Sequence, residues 1–289
     1  MKIKKAIIPV AGLGTRFFPA TKAIAKEMLP IVDIPCVQFL VEEAVQSGIE
    51  EIIFIVSEDK PQIEKHFTEQ TRLNELLKKS GKTRELAHLQ DIENRAHFHF
   101  VIQDKPLGDG HAILCATDII KDDDFAVLFG DDIYDSNPPA LKQLIKIYEK
   151  HNSPVISLQK VSKSETHKYG IIDPKKSQDR LHEISKLVEK PSPAEAPSNL
   201  AITGKYIITN NLYKSLQQAN SHTKDGELRI IDGMKKFVKS SPIYGYEIEG
   251  DHFDTGDKLG YLKAIIHFGL KNKTMGGELK KHLKDLDLK

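Results

Sequence analysis

The sequence predicts an α/β protein with a mostly parallel sheet flanked by helices. Three observations predict it. Apolar runs of strand length alternate with helical patterns through the first half of the chain. Three of those strands lead into loops that carry glycine or acidic residues: residues 11–26, 103–111 and 130–132. In a parallel sheet these loops open on one carboxyl edge, where open α/β sheets bind ligands.

The elements follow in order. Lys4 to Val10 is a short apolar run bounded by charge and glycine, which suits a strand buried on both faces. Val37, Leu40, Val41, Ala44 and Val45 fall at helical spacing, with Pro35 near the start and Gly48 as a stop. Glu51 to Ser57 is the next strand, completing a βαβ unit. Residues 60–95 are polar, and Leu73, Leu76 and Leu77 predict one or two exposed helices. Phe98 to Gln103 and Phe125 to Phe129 are strands, with a helix from Ala112 to Ile120 between them and another through Leu141, Leu144, Ile145 and Tyr148. From Pro154 the texture changes to closely spaced strands: Val155–Val161, Tyr169–Asp173, His182–Val188 and Ala201–Thr209, with Pro191 to Ser198 as a loop. Helices return at Asn211–Ala219 and Ile230–Lys239, then a strand at Ile243–Ile248 and a helix at Asp257–Leu270. The expected organisation is one composite domain over residues 1–289. It has a first half (1–150) built on the βαβ pattern, a second half with an added sheet (151–270) and a C-terminal helix or arm (271–289).

Composition excludes several classes. With 289 residues, 39% hydrophobic, the chain can bury a substantial core. Its 42 basic and 41 acidic residues leave a formal charge of +1, so no basic stripe points to nucleic acid. No apolar run approaches a membrane span, and the N-terminal one is too short for a signal peptide. Cys36 and Cys115 sit apart among apolar residues, which fits two small buried side chains and a cytoplasmic location.

The loops carry the candidate chemistry. Gly12 and Gly14 allow close backbone approach, and Arg16, Lys22 and Lys26 supply cations for an anionic phosphate. A dinucleotide fingerprint fails because Phe17 stands where a third glycine belongs, and no P-loop pattern occurs. Taken alone, the loop also fits a tight turn with solvated lysines. Gly130-Asp131-Asp132 follows a buried strand, and such carboxylates suit Mg²⁺ held with phosphate oxygens; capping of the next turn is the competing reading. Asp254 is a second candidate ligand, beside Thr255 and Asp257 as helix caps. Glu189 and Lys190 end a strand and fit either a surface ion pair or contacts to a sugar phosphate. Gly170 and Gly204 fit bulges or close ligand approach. His111 fits phosphate contact or packing at a helix start.

The strings GLGTRFFPATK and KEMLP resemble the signature of sugar-phosphate nucleotidyltransferases, and within them most closely the bacterial UTP–glucose-1-phosphate uridylyltransferases. PLGDGHA is similar to that family's PLG-x-GHA segment, GDD to its magnesium motif, VEKP to its sugar-phosphate motif, PSNLAITGKY to its sugar-pocket stretch and FDTGDKLGY to its C-terminal motif. These matches run in family order from Ala6 to about Gly269. The resemblance implies a Rossmann-like, glycosyltransferase-A-like fold, with residues 1–150 as the nucleotide-binding half and 151–270 as the sugar-phosphate-binding half. It also implies Mg²⁺-dependent transfer of UMP from UTP to glucose 1-phosphate, giving UDP-glucose and pyrophosphate, by a homodimer or homotetramer. By position it implies that Ala11, Gly12, Gln103 and Gly108 contact base and ribose. Gly14, Thr15, Arg16 and Lys26 would surround the triphosphate, and Asp131 and Asp254 would bind Mg²⁺. Gly170, Glu189, Gly204 and Lys205 would form the sugar pocket, with Lys190 on the sugar's phosphate. The chain departs from the family at Ala25 (for Pro), Phe129-Gly130 (for LP) and Leu228 to Gly233, where GEIQLTDA reads GELRIIDG. The last departure bears on which sugar is used. Thymidylyl transfer, another sugar 1-phosphate and a non-catalytic nucleotide-sugar sensor stay open as alternatives.

Overall fold

The computed structural model describes residues 2–221 and 226–286. The first half runs β1 (Lys5–Pro9), β2 (Pro30–Ile31), β3 (Ile34–Pro35), α1 (Cys36–Gln46), β4 (Glu51–Val56), α2 (Pro61–Phe67), α3 (Thr71–Lys79), α4 (Thr83–Glu93), β5 (His97–Ile102), α5 (Asp109–Leu114), α6 (Thr117–Ile120), β6 (Phe125–Leu128), β7 (Asp132–Asp135) and α7 (Ala140–His151). The remainder runs β8 (Val155–Lys160), β9 (Gly170–Gln178), β10 (Leu181–Glu189), β11 (Leu200–Ile208), α8 (Asn210–Gln217), α9 (Ile230–Phe237), β12 (Tyr244–Glu247), β13 (Asp251–Asp254), α10 (Lys258–Lys271) and α11 (Gly276–Asp285).

Nine strands form one mixed sheet in the order β5-β4-β1-β6-β11-β8-β12-β10-β9. The β5-β4-β1-β6 portion is parallel throughout. The expected mostly parallel character therefore belongs to the first half. In the second half β8 and β12 are parallel, while the ladders of β9, β10 and β11 are antiparallel. The link from β9 to β10 is too short for a crossover, so the two pair as a hairpin. The strands expected as an added sheet extend the first one edge to edge, because β11 pairs with β6.

Burial on both faces follows from side-chain alternation. Ala6 and Ile8 of β1, with Ile52 and Phe54 of β4, pack into the cluster that holds α1 and α7. Ile7, Ile53 and Ile55 face the opposite cluster with α5, α8 and α9. Phe54 stacks on Phe67, Phe98 and Phe100 at centroid distances of 5.0, 6.0 and 5.4 Å. Phe54 and Phe67 are fully buried, which contributes about 1.5–3 kcal/mol each, and the half-buried Phe98 and Phe100 contribute less.

Several boundaries differ from those expected. Residues 60–95 hold three helices, since Thr68 turns extended after α2 and Gly81, at φ 70°, follows the end of α3. The helix expected from Ala112 to Ile120 is two, α5 and α6, interrupted at Cys115 and Ala116. The short pair β7 and β13 was not expected; four residues each, half-buried and rich in aspartate, give little strand signal. The expected C-terminal arm is helical as α11, and residues 287–289 lie outside the described residues.

Candidate active site

The chain builds outward from β1 to β4 and β5, then returns to place β6 on the other side of β1. The crevice of such a sheet lies at this switch, beyond the carboxyl ends of β1 and β6. The loops 11–26 and 129–131 flank it, and residues 103–108 close it from the end of β5.

The first loop is fixed from both sides. Gly14 turns at φ 65°, and a Cβ there would meet Lys26 Cβ at 3.1 Å. Thr21 Oγ1 donates to the Gly14 carbonyl at 2.8 Å. Beneath the loop, Lys60 Nζ donates to the Val10 carbonyl at 2.6 Å and pairs with Glu27 Oε2 at 2.9 Å. Burial pushes the Glu27 carboxyl up, opposed by the charges of Lys26 and then Lys60, and pushes the Lys60 ammonium down, opposed by Glu27. Lys26 reaches forward to Asp131 Oδ2 at 2.7 Å. Burial lowers its pKa, but Asp131 and Glu27 together hold it above the usual lysine value.

The second loop is pinned by Gln103, whose amide donates to the Gly108 carbonyl at 3.1 Å and to His111 Nδ1 at 3.0 Å. Gly108 sits at φ 102°, and a Cβ there would lie 2.2 Å from the Leu228 carbonyl. Leu228 N donates to Leu107 O at 2.9 Å, and Gly110 N donates to Leu228 O at 2.9 Å. The stretch that departs from the family pattern is thus laced to the 103–111 loop.

Asp131 and Asp254 come together where β7 pairs with β13. The pairing sets Asp132 opposite Asp254, and Thr255 donates to the Asp131 carbonyl through N (2.7 Å) and Oγ1 (3.0 Å). A Cβ on Gly256 would lie 2.4 Å from Asp131 Oδ2 and 3.1 Å from Asp254 Oδ1, so both carboxylates face one point beside it. Burial raises the Asp131 carboxyl, yet Lys26 and then Arg16 hold it below the usual value. Burial, with the charges of Asp132 and Asp131, pushes Asp254 up to about 6. Hard oxygen ligands crowded in excess of nearby cations suit a divalent metal such as Mg²⁺. A second acidic group, Asp135, Asp251 and His267, converges at the far end of β7 and β13, but Lys271 Nζ already lies 2.5 Å from Asp135.

Two adjoining cavities result. One, of about 290 Å³, is lined by Ala11, Gly12, Lys26, Gln103, Gly108 and Asp131 among others. The other, of about 250 Å³, is lined by Arg16, Asp131, Gly170, Glu189, Lys190, Gly204 and Asp254 among others. Asp131 borders both. Gly14 and Thr15 border neither, and Gly14 acts through the turn. Gly170 pairs with Glu189 across β9 and β10, leaving Glu189 Oε2 3.3 Å from its Cβ position. Gly204 turns at φ 53°, where a Cβ would collide with Asp132 Oδ2 at 2.1 Å.

Lys205 corrects the expectation. Its side chain is fully buried, pairs with Glu43 Oε2 at 3.0 Å and donates to the Asp132 carbonyl at 3.0 Å. The irregular register of β11 between Ile202 and Tyr206 sends Gly204 and Lys205 to different tasks, and Lys205 holds the start of β7 instead of lining the second cavity. Gly130, a departure from the family pattern, has a packing reason: a Cβ there would lie 3.0 Å from Glu27 Cγ and 3.2 Å from Val10 Cγ1. Asp109, Lys168 and Arg229 line the second cavity and were not singled out. Asp109 occupies the variable position of PLG-x-GHA, and Arg229 lies inside the departing stretch, so both had a sequence signal. Lys60 had none.

The nucleotidyl transferase family model matches residues 5–268. The chain is 45% identical over 287 residues to UTP--glucose-1-phosphate uridylyltransferase 2 of Staphylococcus saprophyticus, covering 99% of each. It is 44% identical over 278 residues to UTP--glucose-1-phosphate uridylyltransferase of Bacillus subtilis, covering 96% of this chain and 95% of the relative. Among solved structures, UTP-bound UGPase from Acinetobacter baumannii superposes with a TM-score of 0.90 at 36% identity, over 99% of this chain and 100% of the other. A UDP-glucose pyrophosphorylase complexed with UDP-glucose superposes with a TM-score of 0.85 at 35% identity, over 93% of this chain and 100% of the other.

Proposed function

The chain belongs to the nucleotidyl transferase family, and from that premise we propose that it transfers UMP from UTP to glucose 1-phosphate, giving UDP-glucose and pyrophosphate. The observation that carries this reading is the pair of cavities meeting at Asp131, with cations on both sides of the junction. The nucleotide takes the Gln103 and Gly108 side, and the hexose takes the Gly170 and Glu189 side.

A phosphate oxygen of glucose 1-phosphate attacks the α-phosphorus of UTP. One P–O bond forms, and the bond to the β-phosphate breaks, with pyrophosphate keeping the electron pair. The attacking group is already an anion, so no protein nucleophile is required. Catalysis is alignment and charge neutralisation. Arg16 and Lys26 stabilise charge building on the leaving pyrophosphate. Lys190 holds the incoming phosphate, and Glu189 accepts hydrogen bonds from the hexose. Asp131 and Asp254 would hold Mg²⁺, and the bound ion would supply charge to screen the repulsion between the two anionic substrates. Lys26 keeps Asp131 ionised, the state a metal ligand needs.

Residues 1–150 and 151–270 act as the two halves of a single domain in this reading. The same reading includes self-association. Helix α10 exposes Leu259, Leu262, Ile266 and Leu270, spaced so as to lie along one stripe. Sedimentation giving a dimer or tetramer supports it, and a monomer at high concentration removes it. No helix among the described residues is long and apolar enough to cross a membrane.

Pyrophosphate release tests the proposal. Release that requires UTP, glucose 1-phosphate and Mg²⁺ together, and that stops with EDTA, supports it. Release only with dTTP or another sugar 1-phosphate keeps the mechanism and moves the substrate. No release from any pair, with UDP-glucose still bound, supports a sensor instead.

A further inference from the structure

Asp109 opens α5 and borders both cavities, at the wall between nucleotide and hexose. Arg229 stands where the family pattern has glutamine, and it borders the hexose cavity. The two belong to one small construction. Asp109 Oδ1 accepts from Ile230 N at 2.7 Å, which ties the start of α9 to the start of α5. The Arg229 guanidinium lies 3.8 Å from Glu189 Oε1 and 3.5 Å from Glu227 Oε2.

A carboxylate at such a wall is costly. Burial, with a further push from the charge of Glu189, raises Asp109 to about 6. A neutral asparagine would accept the Ile230 hydrogen bond as well, so capping alone does not account for an acid. What a carboxylate adds is a second, strong acceptor for a hydroxyl. Of its charged neighbours, Glu189 and Arg229 border the hexose cavity and not the nucleotide cavity. This places the demand for an acceptor on the hexose side.

We propose that Asp109 accepts a hydrogen bond from a ring hydroxyl of the hexose 1-phosphate, and that Arg229 positions Glu189 as the neighbouring acceptor. The pair then determines specificity for a neutral hexose with its hydroxyls intact. The inference rests on the uridylyl-transfer reading of the same site. A sugar lacking the hydroxyl leaves Asp109 desolvated and without its donor, and it is rejected for that reason.

The test is kcat/KM for glucose 1-phosphate and its 2-, 3-, 4- and 6-deoxy analogues, with UTP and with 2′-deoxy-UTP. The proteins are the wild type, Asp109→Asn and Arg229→Gln. The asparagine retains an acceptor for Ile230 N and removes the charge. The wild type should reject one deoxy analogue about 10- to 100-fold, the usual range for a hydrogen bond to a charged group. Asp109→Asn should erase that one preference and keep the others, including UTP over 2′-deoxy-UTP. Arg229→Gln should raise KM for glucose 1-phosphate about 10-fold while KM for UTP stays put. Equal loss with every analogue would make Asp109 merely structural, and loss of the UTP preference alone would make it a ribose reader; either overturns the proposal. Wild-type turnover with no preference among analogues refutes this inference only. A wild type that turns over no sugar 1-phosphate refutes the reading of the site, and this inference with it.

Discussion

Replacing Lys60 by methionine removes the cation beneath the 11–26 loop while keeping an apolar stem of similar length. Lys60 is 8% exposed and its partner Glu27 is 1% exposed, so the substitution strands a buried carboxylate. Breaking one side of a buried ion pair costs about 3–5 kcal/mol. Lys26 Nζ, 4.0 Å from Glu27 Oε1, compensates in part and places the expected loss at the lower end, about 3 kcal/mol. For a chain of 289 residues that is a fall in Tm of about 5 °C. Replacing both residues together, Lys60→Met with Glu27→Leu, removes the stranded charge. The double variant should cost less than Lys60→Met alone. Function should follow structure, because Val10 and Glu27 mark the two ends of the loop that Lys60 holds. At 20 °C, where the variant is folded, KM for UTP should rise while KM for glucose 1-phosphate changes little. Urea unfolding of both singles and the double, with steady-state kinetics, supplies the measurement. A single-variant cost below about 1 kcal/mol, or a double variant costing the sum of the singles, would show that Lys60 and Glu27 are not a coupled buried pair.

Asp131→Ala and Lys190→Ala should each lower kcat by roughly 10²-fold or more with the fold intact by circular dichroism, the usual scale for a lost transition-state charge contact; wild-type turnover in either removes that residue's role. Gly204→Ala should destabilise the protein and cut activity, because its Cβ would overlap Asp132 Oδ2 at a positive φ; unchanged Tm and kcat would mean that β11 yields there. Asp109→Asn should raise Tm above pH 6. The folded carboxyl titrates at about 6 against 3.8 unfolded, so its contribution favours the fold at low pH and is lost as pH rises through 6. The gap between variant and wild type should therefore be widest near pH 7–8, at most about 3 kcal/mol, and close as pH falls towards 4; a gap that widens on acidification contradicts the assignment.

The parallel half of the fold was legible because its strands are buried on both faces. Runs such as Ala6-Ile7-Ile8 and Ile52 to Ile55 are too short for a buried helix and too apolar for a strand with one wet face. The glycine loops marked the site through their backbone: Gly14 and Gly108 adopt angles that side chains resist. What stayed hidden depends on distance in sequence. Asp131 meets Asp254 only because β7 and β13 pair, and neither strand has an apolar pattern strong enough to announce itself. Lys60 lies 33 residues from Glu27, and nothing local distinguishes it from the exposed lysines nearby. Lys205 misled for the opposite reason. It follows the glycine at the cavity wall, yet β11 turns its side chain into the core toward Glu43.

The most direct test of the central claim follows the phosphorus atoms. UTP labelled at the α-phosphate, and separately at the γ-phosphate, would be incubated with the protein, Mg²⁺ and glucose 1-phosphate, and the products separated. The α-label should appear in UDP-glucose and the γ-label in pyrophosphate, with neither product formed when glucose 1-phosphate is withheld. Label appearing as orthophosphate, or UTP recovered whole with all components present, would contradict it.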